Sequence, residues 1–332
     1  VTVMRTTRAP WTGDAANSLA AGDTRTTRPH PGGPAGPGRV LWVLWPLGLA
    51  LTGAHAGAGA LATPLFVPLD AAYLVLAAVL VGRALRARAG AHGGGPDAPA
   101  VLLLGAGVSV FALAALTGIP TAHHPGAMLA NTAVLMLAAA LIAVGVVLAA
   151  ARLWDGPGRA PAAMACAVLL LGGAGYLANL VARVGVVLAG AAPAQARVET
   201  SAWEARSYLL GLPAEPSAVV LLLVWLDLLQ LGYVVLTQVA VVLLAVSLGR
   251  HGWLDASIAR VAAVGGSALA GVTVLAVGLA VSGGAFDVPG LERVSAPAAW
   301  TAYLLTVPFM STLPAFLVGA GLLAPSRAPE AR

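Results

Sequence analysis

Long runs of Ala, Val, Leu, Ile and Gly recur along the chain, separated by short segments that hold most of the Arg, Asp, Glu, His and Pro residues. A helix needs about 20 apolar residues to cross a hydrocarbon core of about 30 Å. On that rule the pattern predicts eight membrane-crossing helices, at residues 40–61, 65–81, 98–119, 128–150, 162–190, 217–249, 261–282 and 298–324. These runs are too long for barrel strands and lack the alternation that a barrel face requires. The expected fold class is therefore all-α, a polytopic integral-membrane helix bundle over residues 39–325. The Gly/Ala-rich stretch 53–63 fits either of the first two helices or a turn, so seven spans is the alternative count.

Residues 1–38, rich in Thr, Arg, Pro and Gly, bury too little apolar surface to order themselves and are predicted as a disordered tail. Residues 326–332 form a second, short tail. Val1 in place of Met reads as a non-ATG start, with Met4 as the other candidate. The stretch 40–51 is read as a span and not as a cleaved leader, because 39 residues before it are too many for a signal-peptide n-region.

Composition narrows the class further. Of 332 residues, 59% are apolar and 9% charged, with a mean hydropathy of +0.89, against roughly 25% charged in a soluble domain. A soluble globular enzyme is excluded, and the expected surrounding is a lipid bilayer. The net charge of +5 comes from 18 scattered basic residues with no dense basic stripe, so nucleic acid is not an expected partner. All of them are Arg. With Ala, Gly, Val, Leu and Pro so abundant, this reads as GC-rich codon usage in a bacterium. The single cysteine, Cys166, excludes an intrachain disulfide and cysteine-cluster metal sites.

Arginine placement predicts orientation. Arg5, Arg8, Arg25, Arg28, Arg39, Arg83, Arg86, Arg88, Arg152, Arg159, Arg250, Arg260, Arg327 and Arg332 fall on one side of the eight-span topology, and only Arg197, Arg206 and Arg293 on the other. By the positive-inside rule, both termini are expected in the cytoplasm, with the protein in the cell membrane. Trp42, Trp45, Trp154 and Trp253 lie beside the expected inner boundaries, and Trp203 and Trp300 beside the outer ones, as amphipathic rings prefer. The segments 152–155 and 250–255 echo one another, each carrying Arg, Trp and Asp. A duplicated hairpin and shared interface composition both explain this.

Ionisable groups inside spans are costly and so mark candidate sites. Arg183 shares a helix face with Asn179 and Tyr176. Asp227 lies with Gln230, Tyr233, Thr237 and Gln238 in an arc of roughly 140°. Arg183 stands roughly 33 Å above Pro161, and Asp227 roughly 35 Å above Arg250, so an Arg183–Asp227 ion pair at the external edge is expected. Asp70, Asn131 and His55 also belong to external halves, whereas 139–151, 239–246 and 313–324 hold almost no polar side chain. The asymmetry predicts a recess open to the outside. His55, His123 and His124 are the alternative, metal-binding set, against which stands their lack of helical ligand spacing.

No phosphate-binding loop, aspartate-rich diphosphate motif or nucleophile elbow occurs. The glycine clusters Gly105–Gly107, Gly172-Gly173 and Gly265-Gly266 are read as close helix packing. Three functions stay open. In the first, a polar pocket binds a small or amphiphilic ligand, with Asp227 and Arg183 as candidate catalytic or anchoring groups and Tyr176, Asn179, Gln230, Tyr233, Gln238, Asp70 and Asn131 as lining. In the second, a non-catalytic accessory or scaffold protein uses the same groups as interhelical glue. The third is a transporter or permease component, which the apolar inner halves disfavour. No cofactor or protein partner is indicated.

Overall fold

The computed structural model describes residues 40–58, 63–89, 97–117, 125–188, 218–285, 297–298, 301, 305 and 308–324. The described residues contain no strand. Eight α-helices carry the fold: α1 (Leu44–Ala58, entered through a 3-10 turn at Leu41–Val43), α2 (Thr63–Ala89), α3 (Asp97–Thr117), α4 (Pro125–Arg152), α5 (Arg159–Leu188), α6 (Ala218–Arg250), α7 (Ala256–Ala285) and α8 (Pro308–Leu323). Each overlaps one of the eight predicted runs. By length and composition, five of them can cross a membrane: stretches Leu65–Arg88, Leu129–Arg152, Arg159–Val186, Trp225–Arg250 and Ala256–Leu279. The two predicted tails lie outside the described residues.

Helix ends follow local chemistry. α4 and α8 each open on a proline (Pro125, Pro308), whose missing N–H is an orphan in the first turn anyway. α2 runs well beyond the apolar stretch that predicted it, through Arg83, Arg86 and Arg88 to Ala89. Arg favours helix almost as well as Leu, so the helix continues after the apolar run stops. α6 ends in a Schellman turn: Gly252 takes φ +76°, Trp253 N–H donates to Leu248 O at 3.0 Å and Gly252 N–H to Gly249 O at 3.2 Å. Asp255 then caps α7, accepting the Ser257 backbone N–H at 2.8 Å.

Successive helices from α1 to α7 pack side by side, and α8 fills the space between α3 on one side and α6 and α7 on the other. α8 is buried almost throughout, with Ala315, Phe316, Val318, Ala320 and Leu322 all inaccessible. Phe316 meets Trp45 (ring centroids 5.4 Å apart), and Trp45 meets Phe111 edge-on at 4.7 Å. Outward faces are the reverse of a soluble protein: Leu171, Leu188, Val264 and Leu275 are largely exposed hydrophobes on α5 and α7. Such faces are stable only against lipid or a partner.

The arginine-bearing segments share one end of the bundle. Ser247 Oγ donates to Gly158 O at 2.6 Å, and the His251 ring presses against Gly156, joining the α4–α5 and α6–α7 hairpins. Gly321 of α8 abuts Leu254 and Ile258 at that same end. Arg88 Nε pairs with Asp97 Oδ1 at 3.2 Å, bringing the end of α2 to the start of α3. Arg159 stacks over the Trp154 ring, 4.9 Å from its centroid.

Gly319 marks a tight backbone-to-backbone seam. A Cβ there would lie 2.7 Å from the Leu104 nitrogen and 2.8 Å from the Ala100 oxygen, both rigid backbone atoms. Gly319→Ala should therefore lower stability in detergent by about 1–3 kcal/mol. Gly265→Ala, on an exposed face with nothing within 4 Å, should not. Thermal unfolding of the two variants side by side checks this.

Candidate functional site

At the end opposite the arginine hairpins, α5 and α6 run antiparallel, and theirs is the most extensive helix contact in the bundle. Their approach is close because Gly172 of α5 has no side chain: a Cβ there would sit 3.0 Å from Leu236 Cβ and 3.6 Å from Tyr233 Cα. Gly173, its neighbour, faces open space. From Gly172 the contact face of α5 continues through Tyr176, Asn179 and Arg183, at helical spacing. Opposite them in order stand Leu236, Tyr233, Leu226 and Asp227 of α6.

The Tyr176 and Tyr233 rings stack in parallel, with centroids 4.1 Å apart and planes within 2°. Both are buried. One turn further along α5, Asn179 is inaccessible and bridges the helices. Its Nδ2 donates to the Leu226 backbone oxygen, and its Oδ1 accepts from Arg183 Nε at 3.0 Å. Those two partners fix the amide orientation, since a flipped group would face a carbonyl with its oxygen. Arg183 Nη2 in turn donates to Asp227 Oδ1. The pair is partly open, with side-chain exposures of 19% for Arg183 and 35% for Asp227.

Polarity and burial are thus graded. A partly exposed ion pair stands over a buried amide, which stands over a stacked aromatic floor. The contacts use one Asp227 oxygen and two of the three Arg183 nitrogens.

The other predicted residues fall elsewhere or apart. Gln230 is half-buried one turn below Asp227. Gln238 is inaccessible, level with the α7 and α8 contacts of α6. Asp70 is buried on α2, which packs against α1, α3 and α8; it does not join the Arg183–Asp227 group. Asn131 is half-buried on α4. Among the described residues no three His, Cys, Asp or Glu side chains converge as a metal site. The His55 side chain, His123 and His124 lie outside the described residues. The Leu226 carbonyl that receives Asn179 escaped the sequence reading, as a backbone acceptor leaves no compositional signal.

The fold and this site define a helical bundle of membrane-protein type with a polar cluster between two central helices. No protein family, curated protein or solved structure matches the chain.

A double-mutant cycle on Arg183→Gln and Asp227→Asn should give a coupling of about 0.5–1 kcal/mol in thermal or denaturant unfolding. Asn179→Leu should reduce that coupling, because Arg183 loses the Nε contact that orients it.

Proposed function

We propose that the head of α5 and α6 is an outward-facing recess that binds a small or amphiphilic ligand. In it, Arg183 clamps an anionic group and Asp227 anchors a cationic or hydrogen-bonding one. Tyr176, Asn179, Gln230 and Tyr233 line or support it. One observation carries this reading: the Arg183–Asp227 pair is partly exposed above a buried polar and aromatic layer. Full enclosure would add a desolvation cost to both charges, whereas this pair keeps part of its surface open. Asp227 is also the carboxylate placed for acid–base work if the ligand is transformed.

The protein is proposed to lie in the cell membrane with eight spans and both termini cytoplasmic. The gathering of Arg83, Arg86, Arg88, Arg152, Arg159, Arg250 and Arg260 at one end supports this. The apolar stretch 239–246 of α6 argues against a continuous polar conduit. A second reading has its own support: Asn179 is wholly enclosed, and both its bonds serve the α5–α6 contact. Under that reading the cluster is interhelical glue in a scaffold protein.

Two experiments test these proposals. In nanodiscs, thermal shift against a panel of zwitterions, organic acids and lipids should identify a stabilising class. Asp227→Asn should weaken its binding about tenfold or more, one lost charged hydrogen bond being worth about 1.5–3 kcal/mol, with expression and ligand-free stability little changed. Collapse of Asp227→Asn that Arg183→Gln rescues would establish the glue reading instead. A periplasm-active enzyme fused after residue 332 should be silent, and the same fusion in the 191–216 segment active.

A further inference from the structure

Gln238 is fully inaccessible, and neither its amide nitrogen nor its amide oxygen has a hydrogen-bond partner. Its neighbour Thr237 is 1% exposed, and its hydroxyl has only the Tyr233 hydroxyl one turn earlier beside it. Three other threonine hydroxyls behave differently. Thr52, Thr273 and Thr301 each fold back onto the carbonyl four residues earlier, at 2.9, 2.7 and 2.9 Å, the ordinary solution for a hydroxyl in an apolar helix.

Depth makes the contrast costly. Gln238 lies eleven residues from Asp227 and twelve from Arg250, roughly 16 and 18 Å along the helix, at the middle of the Trp225–Arg250 stretch. No bulk water reaches a lipid-facing group there, and each unsatisfied polar group costs several kcal/mol. Three helices meet at this level: the Cβ position of Gly266 on α7 is 3.9 Å from the Gln238 backbone oxygen and 4.0 Å from Pro314 Cβ on α8. Pro314 has no N–H, so the Met310 carbonyl one turn earlier loses its usual helical donor. α6 and α8 run in the same direction, and helical side chains lean toward their own N-terminus. The Gln238 amide therefore rises toward the level of that carbonyl.

We propose that Gln238 and Thr237, with the Met310 carbonyl, form a mid-membrane site for a small uncharged hydrogen-bonding guest, either ordered water or the neutral polar end of a bound molecule. An amide, a hydroxyl and a carbonyl supply the two to four partners that a buried water takes. The guest is uncharged because the ionisable residues of α6, α7 and α8 are Asp227, Arg250 and Arg260, all toward helix ends. An ion at this depth would have no counter-charge. The site is separate from the Arg183–Asp227 recess and does not depend on its function.

The chain has three glutamines, Gln195, Gln230 and Gln238, so selective ¹⁵N-glutamine labelling of the full chain in nanodiscs gives a readable spectrum. Gln238→Asn assigns the signal by removing it. Water-to-amide magnetisation transfer at Gln238 is expected if the guest is water. If the guest is an organic molecule, transfer is absent, and solvent extraction releases from the wild type a neutral compound missing from Gln238→Leu. In either case Gln238→Leu should lower Tm by about 2–4 °C for each kcal/mol lost. A Tm raised by Gln238→Leu, or the lack of both water transfer and an extractable compound, overturns the proposal.

Discussion

Close approach between backbones is the constraint on which the bundle rests. Inside a bilayer each helix satisfies its own backbone, and burying apolar side chains gains little over leaving them in lipid. Association then depends on how near the helix axes come. α8 shows this directly: Gly319 presses on Leu104 and Ala100 of α3, Gly107 of α3 receives Phe316, and Gly321 receives Leu254 and Ile258. Removing that helix would leave α3 without its main partner on one side and would part it from α6 and α7. The same device at Gly172 draws α5 onto α6, and only that proximity lets Asn179 reach a backbone carbonyl across the interface.

Geometry therefore precedes electrostatics in the candidate site. Arg183 and Asp227 meet because the antiparallel register begun at Gly172–Leu236 brings Tyr176 to Tyr233, Asn179 to Leu226 and Arg183 to Asp227 in turn. Asn179 then selects one arrangement of the guanidinium by engaging Nε and leaving the Nη groups to the carboxylate. Partial exposure of the pair limits what it adds to stability, since solvent screens it. The same exposure is what the proposed binding role draws on.

Much of this was legible in the sequence, for definable reasons. Each of the eight apolar runs overlaps a helix among the described residues, because run length is one-dimensional information. Arg183 could be matched with Asp227 because both lie at similar distances from an arginine-marked hairpin, and rise per residue converts count to height. Burial was not legible: Asp70 and Asn131 belong to the same external halves as the pair but sit on other helices, and no spacing rule states which helices touch. Nor did the glycine clusters reveal which member was structural. Gly172 and Gly266 are contact points, while Gly173 and Gly265 face open space, a difference of 100° that depends on where the neighbours are.

α6 unites these arguments. One of its faces carries charge at Asp227, amide and aromatic groups at Gln230 and Tyr233, then neutral polar groups at Thr237 and Gln238, and beyond them only apolar residues to Val246. The order follows solvation: charge stays where water can reach it, neutral polarity extends deeper, and hydrocarbon fills the rest. Simple anchoring would need none of the deeper steps, for a leucine packs at position 238 with no amide to satisfy. Retaining an amide at the membrane centre makes sense where something outside the chain completes it. A helix that is polar on one side from Asp227 to its midpoint, and apolar beyond it, is what the proposed one-sided entry of a guest would require.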